Sequence, residues 1–557
     1  MSRKVVVVGG VAGGATCATR LRRLDENAEI VVLDRGPYVS FANCGLPYYV
    51  GDVIQKESSL LLATPELFHK RFHIDVRTRN EVLAINLDAK TVTVVNLETG
   101  LEYQEGYDAL VLSPGAMPIR PPWPGVNLPG IFTLRSVPDS RAIREWIDTK
   151  RPRKAIVVGG GFIGLEMAEN LAQRGLQVTI VELASQVLPP LDPEMAQYAK
   201  ERLESNGVSL KLGDRVAGFK QGGNGSLIVL TQGGAEFDAD LVVLSIGVRP
   251  ETKLAKDSGL EIGQRGGIRV DNQMRTSNPN IWAIGDAVEV KSHETNAWEL
   301  IPLAGPANRQ GRIAADVICG RDSHFEGALG SAVCGFFGLT VALTGGTEKS
   351  LRHAGLTDFQ SVYLHPNQHV AYYPGAKPIH MKLIFRPSDG RVLGTQATGD
   401  SEVARRIDVI ATAIHMNATV NDLEELELCY APQFGGAKDP VNFAGMIASN
   451  VMRGDLQLAP WGEIDSKRPF ILDVREPEEF RAGTVPGAVN IPLDQLRSRL
   501  NELPPDREIW VTCKVGQRAY YACRILEQHG IHAKNLSGGY STYEVIHSAA
   551  EELATIS

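Results

Sequence analysis

Two cysteines are candidates for nucleophilic chemistry, and their sequence contexts differ. Cys44 lies in SFANCGLPYY, and Cys513 lies near the far end of the chain in VTCKVGQRAY. A cysteine reacts as its thiolate, so each must have surroundings that lower its pKa and leave it accessible. The other cysteines form no CxxC pair and are predicted to be buried packing residues. They are Cys17, Cys319, Cys334, Cys429 and Cys523.

Length and composition indicate a multidomain protein. The 557 residues exceed the roughly 250 to 300 over which one hydrophobic core grows. A formal net charge of −8 argues against nucleic-acid binding. No apolar run of about 18 residues occurs, and MSRKVVVVGG enters a strand without a signal-peptide core, which predicts a cytoplasmic protein with no membrane segment. No His/Cys cluster has zinc spacing, so no metal is expected.

The first residues predict a dinucleotide-binding βαβ unit. KVVVVGGVAGGATCATRLRRL reads as strand, turn and helix, and Asp34 ends the next strand, where it can accept a hydrogen bond from a ribose hydroxyl. The helix N-terminus would bind a pyrophosphate, and Val11 replaces the middle glycine of GxGxxG. A plain strand-turn-helix packing motif is the alternative. The predicted turn residues are Gly9, Gly10, Ala12, Gly13 and Gly14.

A second unit carries all three glycines of the motif. In KAIVVGGGFIGLEMAENLAQRGLQVTIVE they are Gly159, Gly161 and Gly164, and Glu182 ends the second strand. An acidic residue there accepts from a 2′-hydroxyl and repels a 2′-phosphate, and the following LASQV has no arginine. The unit therefore favours NADH, with NADPH as the alternative.

These two units and the later segment TSNPNIWAIGDAVEV resemble the pyridine nucleotide-disulfide oxidoreductases over about residues 1 to 445. The resemblance implies separate FAD and NAD(H) domains. It places Asp286 on the flavin ribityl chain, Arg135 against the FAD, and Gly115 of LSPGAMP in the crossover between the domains. Taken without the resemblance, a strand that ends in Gly-Asp could equally be a turn with a solvated carboxylate.

The setting of Cys44 resembles the single-cysteine branch of this family, which contains coenzyme A disulfide reductases, NADH oxidases and NADH peroxidases. The resemblance implies that Cys44 cycles between a thiol and a mixed disulfide or sulfenic acid, with Asn43 as its polar neighbour. Electrons would pass from NADH through FAD to the oxidised sulfur. An inert buried cysteine is the alternative.

A coenzyme A (CoA) pocket is implied beside this cysteine. Arg20 and Arg23 lie one helical turn apart and could clamp a phosphate, although a solvated basic helix face is the alternative. The resemblance to CoA disulfide reductases gives the substrate positions. They are Thr16, Arg20, Arg23, Ser40, Asn43, Lys70, Arg71, Asn308 and Lys438.

Residues 326–450 resemble the dimerisation domain of these reductases, with LCYAPQFGGAKDPVNFAG near the partner's active site, and imply a homodimer. Tyr430 matches a tyrosine that reaches the other subunit's cysteine, and Tyr372 or Tyr373 could supply a second phenol. A phenol can donate a proton to a leaving thiolate, and aromatic packing is the alternative. Members of this family usually have Pro-Tyr where this chain has Gln433-Phe434. The chain also has no HPxxxE acid-base motif.

The C-terminal segment resembles a single rhodanese domain, through DVREPEEF, PGAVNIP and SGGY. Backbone N–H groups of its cysteine loop can converge at a helix N-terminus and stabilise a thiolate or persulfide. Phosphatases have related loops, and a non-catalytic module is another alternative. The loop residues are Cys513, Lys514, Val515, Gly516, Gln517 and Arg518.

The combined prediction is an α/β protein with two Rossmann-like domains, an α+β dimerisation domain and a rhodanese-like α/β domain. The FAD domain is expected at 1–114 and 252–325, the NAD(H) domain at 115–251, the dimerisation domain at 326–450, a linker at 451–464 and the rhodanese domain at 465–557.

The predicted function is FAD-dependent, NADH-linked reduction of sulfane sulfur to sulfide, with Cys513 relaying the sulfur and CoA as cofactor, carrier or part of the substrate. Low-molecular-weight persulfides, polysulfide or CoA disulfide are the expected partners. The alternatives are a CoA disulfide reductase or NADH oxidase with an accessory module, and a sulfur carrier or redox sensor.

Overall fold

The computed structural model describes residues 3–556, and it describes the side chains of all of these except residues 224 and 549–556. The chain forms two compact units, one of Met1–Leu183 with Gly207–Gly330 and one of Ala184–Asn206 with Ser331–Ser557. The first unit holds both nucleotide-binding motifs, and the second holds Cys513.

The first nucleotide-binding motif lies in a parallel five-stranded sheet. Its three central strands, Lys4–Val8, Glu29–Asp34 and Ala109–Leu112, are rich in buried valine and leucine, as expected for a parallel sheet covered on both faces. A tight turn at Gly9, where φ is +95°, leads into the helix Ala12–Leu24. In spatial order the strands are Ile281–Ala283, Ala109–Leu112, Lys4–Val8, Glu29–Asp34 and Asp75–Thr78.

The second motif lies in a sheet of the same kind. Gly159, with φ of +107°, turns the chain into the helix Phe162–Gln173. A Cβ on Gly159 would lie 2.4 Å from the carbonyl oxygen of Ser245, so no other residue fits this turn. In spatial order the strands are Ser209–Lys211, Gln177–Val181, Lys154–Val158, Leu241–Leu244 and Ile131–Thr133. The two predicted βαβ units are thus confirmed.

Small sheets complete the first unit. Two are three-stranded and antiparallel: Asn80–Asn86, Thr91–Asn96 and Glu102–Gly106, and Val216–Gln221, Leu227–Thr231 and Glu236–Ala239. The others are Ala116–Pro118 with Val248–Pro250, and Ile268–Arg269 with Val288–Lys291 and Trp298–Leu300. The remaining α-helices are Leu46–Val50, Pro65–Phe72, Val137–Lys150, Lys253–Asp257 and Ala304–Ile318.

The second unit begins with an antiparallel sheet and its helices. The strands, in spatial order, are Ala332–Phe336, Leu339–Gly345, Val392–Gly399, Ile379–Phe385 and Gln360–Leu364. The helices are Pro193–Ser205, Glu348–His353, Val403–His415, Val420–Glu425 and Pro440–Met452. This is the α+β arrangement that the sequence predicts.

The C-terminal domain has a parallel sheet with helices around it. Its strands, in spatial order, are Leu458–Ala459, Ala533–Leu536, Ile509–Thr512, Phe470–Asp473 and Val489–Asn490. Its helices are Ile464–Lys467, Pro477–Arg481, Leu493–Leu496, Gln517–Gln528 and Gly539–Ile556. The segment predicted as a linker takes part in this domain, because Leu458–Ala459 is its edge strand and the Trp461 indole donates to the Ser537 carbonyl at 2.9 Å.

In the described part of the chain, no helix is long and apolar enough to cross a membrane.

Candidate functional site

The first glycine turn is a close-packed cradle at the start of a helix. A Cβ on Gly14 would lie 1.9 Å from the Gly9 carbonyl oxygen, and one on Gly13 would lie 3.2 Å from that of Ala307. Asp34 closes the turn, because its two carboxylate oxygens accept from the N–H groups of Gly10 and Gly36, each at 2.8 Å. Burial raises the pKa of Asp34, and these hydrogen bonds partly offset that effect. The cradle suits the pyrophosphate and ribose of a dinucleotide.

Two half-buried groups of opposite charge, Arg135 and Asp286, lie near this site. The Arg135 guanidinium donates from Nη2 to the Pro114 carbonyl at 3.1 Å, while its buried Nη1 has no hydrogen-bond partner within the described residues. Burial raises the pKa of Asp286, and Arg135 acts against that shift. Gly115, with φ of +76°, leaves the space beside Arg135 Nη2 open. An orphaned donor close to a half-buried carboxylate fits a polar cofactor such as FAD.

The second turn repeats the first arrangement. A Cβ on Gly164 would lie 2.0 Å from the Gly159 carbonyl oxygen, whereas Gly161 faces open space. Glu182 is nearly buried, and its Oε2 accepts from the Gly160 N–H at 2.6 Å. These residues fit a second dinucleotide with a free 2′-hydroxyl.

Cys44 lies in the short 3₁₀ turn Asn43–Gly45, directly before the helix Leu46–Val50, and both Cys44 and Asn43 are exposed. The expectation that the surrounding protein lowers its pKa is wrong. Partial burial of the thiol raises the pKa, and the negative charges of Glu166 and Asp286 raise it further. The thiol is therefore reachable but needs an additional positive or hydrogen-bonding influence to react as a thiolate.

Glu166 is a functional candidate that the sequence reasoning missed. It lies in the helix Phe162–Gln173, two residues after Gly164, and burial raises its pKa to about 7. The Tyr48 hydroxyl donates to Glu166 Oε1 at 3.4 Å. A carboxyl group with a pKa near neutrality, whose charge also acts on the Cys44 thiol, can move a proton. The only signal in the sequence is an acidic residue on the nucleotide-binding helix, which is too weak to identify it.

The predicted CoA residues fall on several elements of the first unit. The Thr16 hydroxyl donates to the Asn308 side-chain carbonyl, which joins two predicted positions. Arg20 donates to Asp316 at 2.9 and 2.7 Å, so its charge already has a partner. Arg23 is exposed, with its Nε donating to the Thr19 carbonyl at 3.0 Å.

Most of the other substrate positions lie at the surface, and Ser40 is half-buried. Lys70 and Arg71 are exposed in the last turn of Pro65–Phe72, and Ser40 has a φ of +47°. Lys438, in the second unit, is exposed as well. The structure therefore groups Thr16 with Asn308 and leaves Arg23, Lys70 and Arg71 open to an anionic ligand.

Two of the predicted tyrosines form a pair in the second unit. The hydroxyl groups of Tyr372 and Tyr430 are 3.0 Å apart, and both side chains are exposed. Tyr373 instead packs edge-on against His369, with ring centroids 5.5 Å apart. Cys429, next to Tyr430, is exposed and Cys319 is half-buried, so the prediction that these two cysteines are buried is wrong.

The Cys513 loop has the curled form that a thiolate site requires. The Gly516 N–H donates to Cys513 Sγ at 3.2 Å, and Gly516 has a φ of +88°. The start of the helix Gly539–Ile556 holds the loop, because the N–H groups of Tyr540 and Ser541 donate to the carbonyls of Cys513 and Lys514 at 2.7 and 2.9 Å. Cys513 itself is 0% exposed, contrary to the expectation that it is accessible.

No group of three or more His, Cys, Asp or Glu side chains that could hold a metal ion occurs among the residues that the structure describes.

Three family models match the chain. The model described as pyridine nucleotide-disulphide oxidoreductase matches residues 3–311, and the dimerisation domain of that family matches residues 331–439. A rhodanese-like domain matches residues 461–545.

Relatives and solved structures agree with these matches. A coenzyme A disulfide reductase of Staphylococcus haemolyticus is 36% identical over 455 residues, which cover 81% of this chain and all of that protein. The crystal structure of reduced Bacillus anthracis CoADR-RHD is 49% identical, with a TM-score of 0.96 and 98% of each chain covered. An NAD-dependent persulfide reductase from A. fulgidus is 37% identical, with a TM-score of 0.90 over 97% of this chain and 100% of that chain.

Proposed function

Because this chain belongs to the pyridine nucleotide-disulphide oxidoreductases and also carries a rhodanese-like domain, we propose that it is an FAD-dependent, NADH-linked persulfide or polysulfide reductase. The observation that carries the proposal is the Cys513 loop, in which the Gly516 N–H points at Sγ from 3.2 Å. A reductase of disulfides alone would have no use for a site built to hold a sulfur anion.

The cofactors fit the residues of the first unit. Asp34, Arg135 and Asp286 would hold FAD, and the turn Gly159–Gly164 with Glu182 would hold NADH. FAD, when bound, supplies the transfer of two electrons from NADH to an oxidised sulfur.

Cys44 is the proposed site of reduction. Its thiolate attacks the inner sulfur of a persulfide R–S–SH, the S–S bond breaks, and hydrosulfide leaves while Cys44–S–S–R forms. Two electrons and one proton then break the new S–S bond, which returns Cys44 to a thiolate and releases R–SH. The overall consumption is one NADH for each hydrosulfide released, because the oxidation of NADH releases the one proton that the second step takes up.

Glu166 is the proposed source of the proton in this second step. The chain has no HPxxxE motif to serve the leaving thiolate. A carboxyl group with a pKa of about 7 is half protonated at neutral pH, so Glu166 can donate to a thiolate and be reprotonated from water. Its hydrogen bond from Tyr48 orients the carboxylate.

CoA is proposed to bind near Cys44 as a cofactor, a carrier or part of the substrate. The exposed Arg23, Lys70 and Arg71 supply positive charge for its phosphates. We also propose a homodimer in which Tyr430 reaches the partner's active site, in line with the match to the dimerisation domain. A cytoplasmic location is part of the proposal, because seven free cysteines suit a reducing compartment.

A second candidate is a CoA disulfide reductase or NADH oxidase with an accessory module. The full-length match to a CoA disulfide reductase and the burial of Cys513 favour it. A third candidate, a sulfur carrier or redox sensor, would load Cys513 stoichiometrically but turn over little.

Single-cysteine variants distinguish these functions in anaerobic assays. Persulfide reduction should be lost in Cys44→Ser and strongly reduced in Cys513→Ser, while CoA disulfide reduction should survive in Cys513→Ser. If Cys513→Ser left the turnover of every persulfide intact, the proposed relay would be wrong and the second candidate would stand.

A further inference from the structure

The Cys513 loop carries a cation that is already neutralised. Arg518 donates from Nη1 and Nη2 to the two carboxylate oxygens of Glu479, each at 2.7 Å. Glu479 lies in the short helix Pro477–Arg481 and also accepts from the Glu476 N–H at 3.2 Å. This two-point contact fixes the guanidinium in one orientation.

The other cations around the loop are matched in the same way. Lys514 Nζ lies 3.1 Å from Glu544, and Arg475 lies 2.7 Å from the buried Asp473. Each of the three positive side chains therefore has its own carboxylate.

Arg518 is the cation that the Cys513 loop itself contributes, because it lies in the first turn of the helix Gln517–Gln528 that follows the loop. Its hydrogen bonds to Glu479 raise the pKa of Arg518. A charge change on Glu479 thus acts on a cation of the loop that holds the reactive sulfur.

We infer that Glu479 sets the donor specificity of the Cys513 site, against dianions such as thiosulfate and in favour of low-molecular-weight persulfides. A thiosulfate dianion must approach a thiolate, and an unpaired cation offsets that repulsion better than a cation already paired with a carboxylate. A perthiol or perthiolate carries at most one charge at its sulfane end and is penalised much less. The inference deepens the proposed function and rests on its premise that Cys513 accepts sulfane sulfur.

The transfer step is balanced for both donors. The Cys513 thiolate attacks the outer sulfur of the donor, and the donor's S–S bond breaks. The electron pair leaves on the donor thiolate, or on sulfite when thiosulfate is the donor. Cys513 then holds the sulfur as a persulfide anion, and no external oxidant is required.

The test uses the full chain in a Cys44→Ser background, so that loaded sulfur is counted at Cys513 by alkylation and mass spectrometry. Glu479→Gln should speed loading from thiosulfate about tenfold, with sulfite released in equal amount, and should change loading from glutathione persulfide less than about twofold. The exposed neighbour Glu478→Gln makes the same change of net charge without releasing Arg518, and it should leave both rates unchanged.

Adding Arg518→Gln to Glu479→Gln should abolish the faster loading from thiosulfate. The inference would be overturned if Glu479→Gln left the rate of loading from thiosulfate unchanged, or if Glu478→Gln raised that rate equally. In either case, normal loading from glutathione persulfide would still support the proposed function. If the Cys44→Ser chain took sulfur from no donor at all, the proposed role of Cys513 would itself fail.

Discussion

The hydroxyl groups of Tyr372 and Tyr430 lie 3.0 Å apart on the surface of the second unit. The hydrogen bond between the two phenols raises the pKa of Tyr372, because the Tyr372 hydroxyl can donate to Tyr430 only while it is protonated. The sequence offered Tyr372 and Tyr373 as equal candidates for the second phenol, and this contact favours Tyr372.

A hydrogen-bonding pair of this kind predicts a specific mutational pattern. Tyr430→Phe and Tyr372→Phe should each slow release of the leaving thiol by about tenfold or more, because each removes a hydroxyl group of the pair that can hydrogen-bond the leaving thiolate before Glu166 protonates it. Tyr373→Phe is the matched control and should stay within about twofold, since Tyr373 packs on His369. Stopped-flow measurement of thiol release checks this, and equal rates in all three variants would show that the pair is structural.

Glu166→Gln should have opposite effects on two observables. Loss of its negative charge should lower the pKa of the Cys44 thiol and speed alkylation of Cys44 at pH 7. Loss of the proton donor should slow turnover by about 100-fold. It should also remove the change in rate near pH 7 that titration of Glu166 produces in a plot of kcat against pH. A variant with normal turnover and an unchanged pH profile would exclude Glu166 as the donor.

The rhodanese-like domain contacts the dimerisation domain through a pair of half-buried histidines. His365 Nε2 lies 2.8 Å from Thr542 Oγ1, and His365 Nδ1 lies 2.8 Å from His380 Nδ1. Burial lowers the pKa of His365 to about 3 and that of His380 to about 4, and the charge of Lys514 lowers both further. Both histidines are therefore neutral at pH 7, and each neutral ring has one nitrogen that can donate and one that can accept.

This docking predicts that stability falls with acidification. The folded pKa values lie below the unfolded value of about 6.5, so stability is fully present above pH 6.5 and is lost as the pH falls toward 4. His365→Gln should reduce the pH dependence of the free energy of unfolding by about 1.4 kcal/mol per pH unit in this window, because one proton is no longer taken up on unfolding. The exposed His353→Gln is the control and should not change the slope of the free energy of unfolding, measured in urea from pH 7 to 5. Identical slopes in the parent and His365→Gln would contradict the prediction.

Glu182 should govern the choice of nicotinamide cofactor. Glu182→Gln keeps an acceptor for the Gly160 N–H but removes the charge that repels a 2′-phosphate. We expect kcat/KM for NADPH relative to NADH to rise about tenfold. An unchanged ratio would mean that another group excludes the phosphate.

The local parts of this architecture could be predicted from the sequence. Glycine spacing identified both nucleotide turns, because Gly9 and Gly159 meet backbone atoms that no Cβ could approach. The Cys513 loop could also be predicted, because one contiguous segment of the sequence forms it.

Features formed by distant segments could not be predicted in this way. Glu166 titrates near neutrality because of burial, which only the folded chain reveals. The pairing of Arg20 with Asp316 joins residues 296 positions apart, and that of Arg518 with Glu479 joins residues 39 positions apart. The sequence also suggested a lowered pKa for Cys44, but it could not show that partial burial and two carboxylates act against it.

The central claim is that NADH oxidation releases sulfide from sulfane sulfur. Its most direct test is the amount of sulfide formed per NADH oxidised, measured anaerobically with CoA persulfide, glutathione persulfide, polysulfide and CoA disulfide. We predict one sulfide per NADH with each persulfide and with polysulfide, and none with CoA disulfide. Rapid NADH oxidation with CoA disulfide, together with little or no sulfide from every persulfide, would contradict the account.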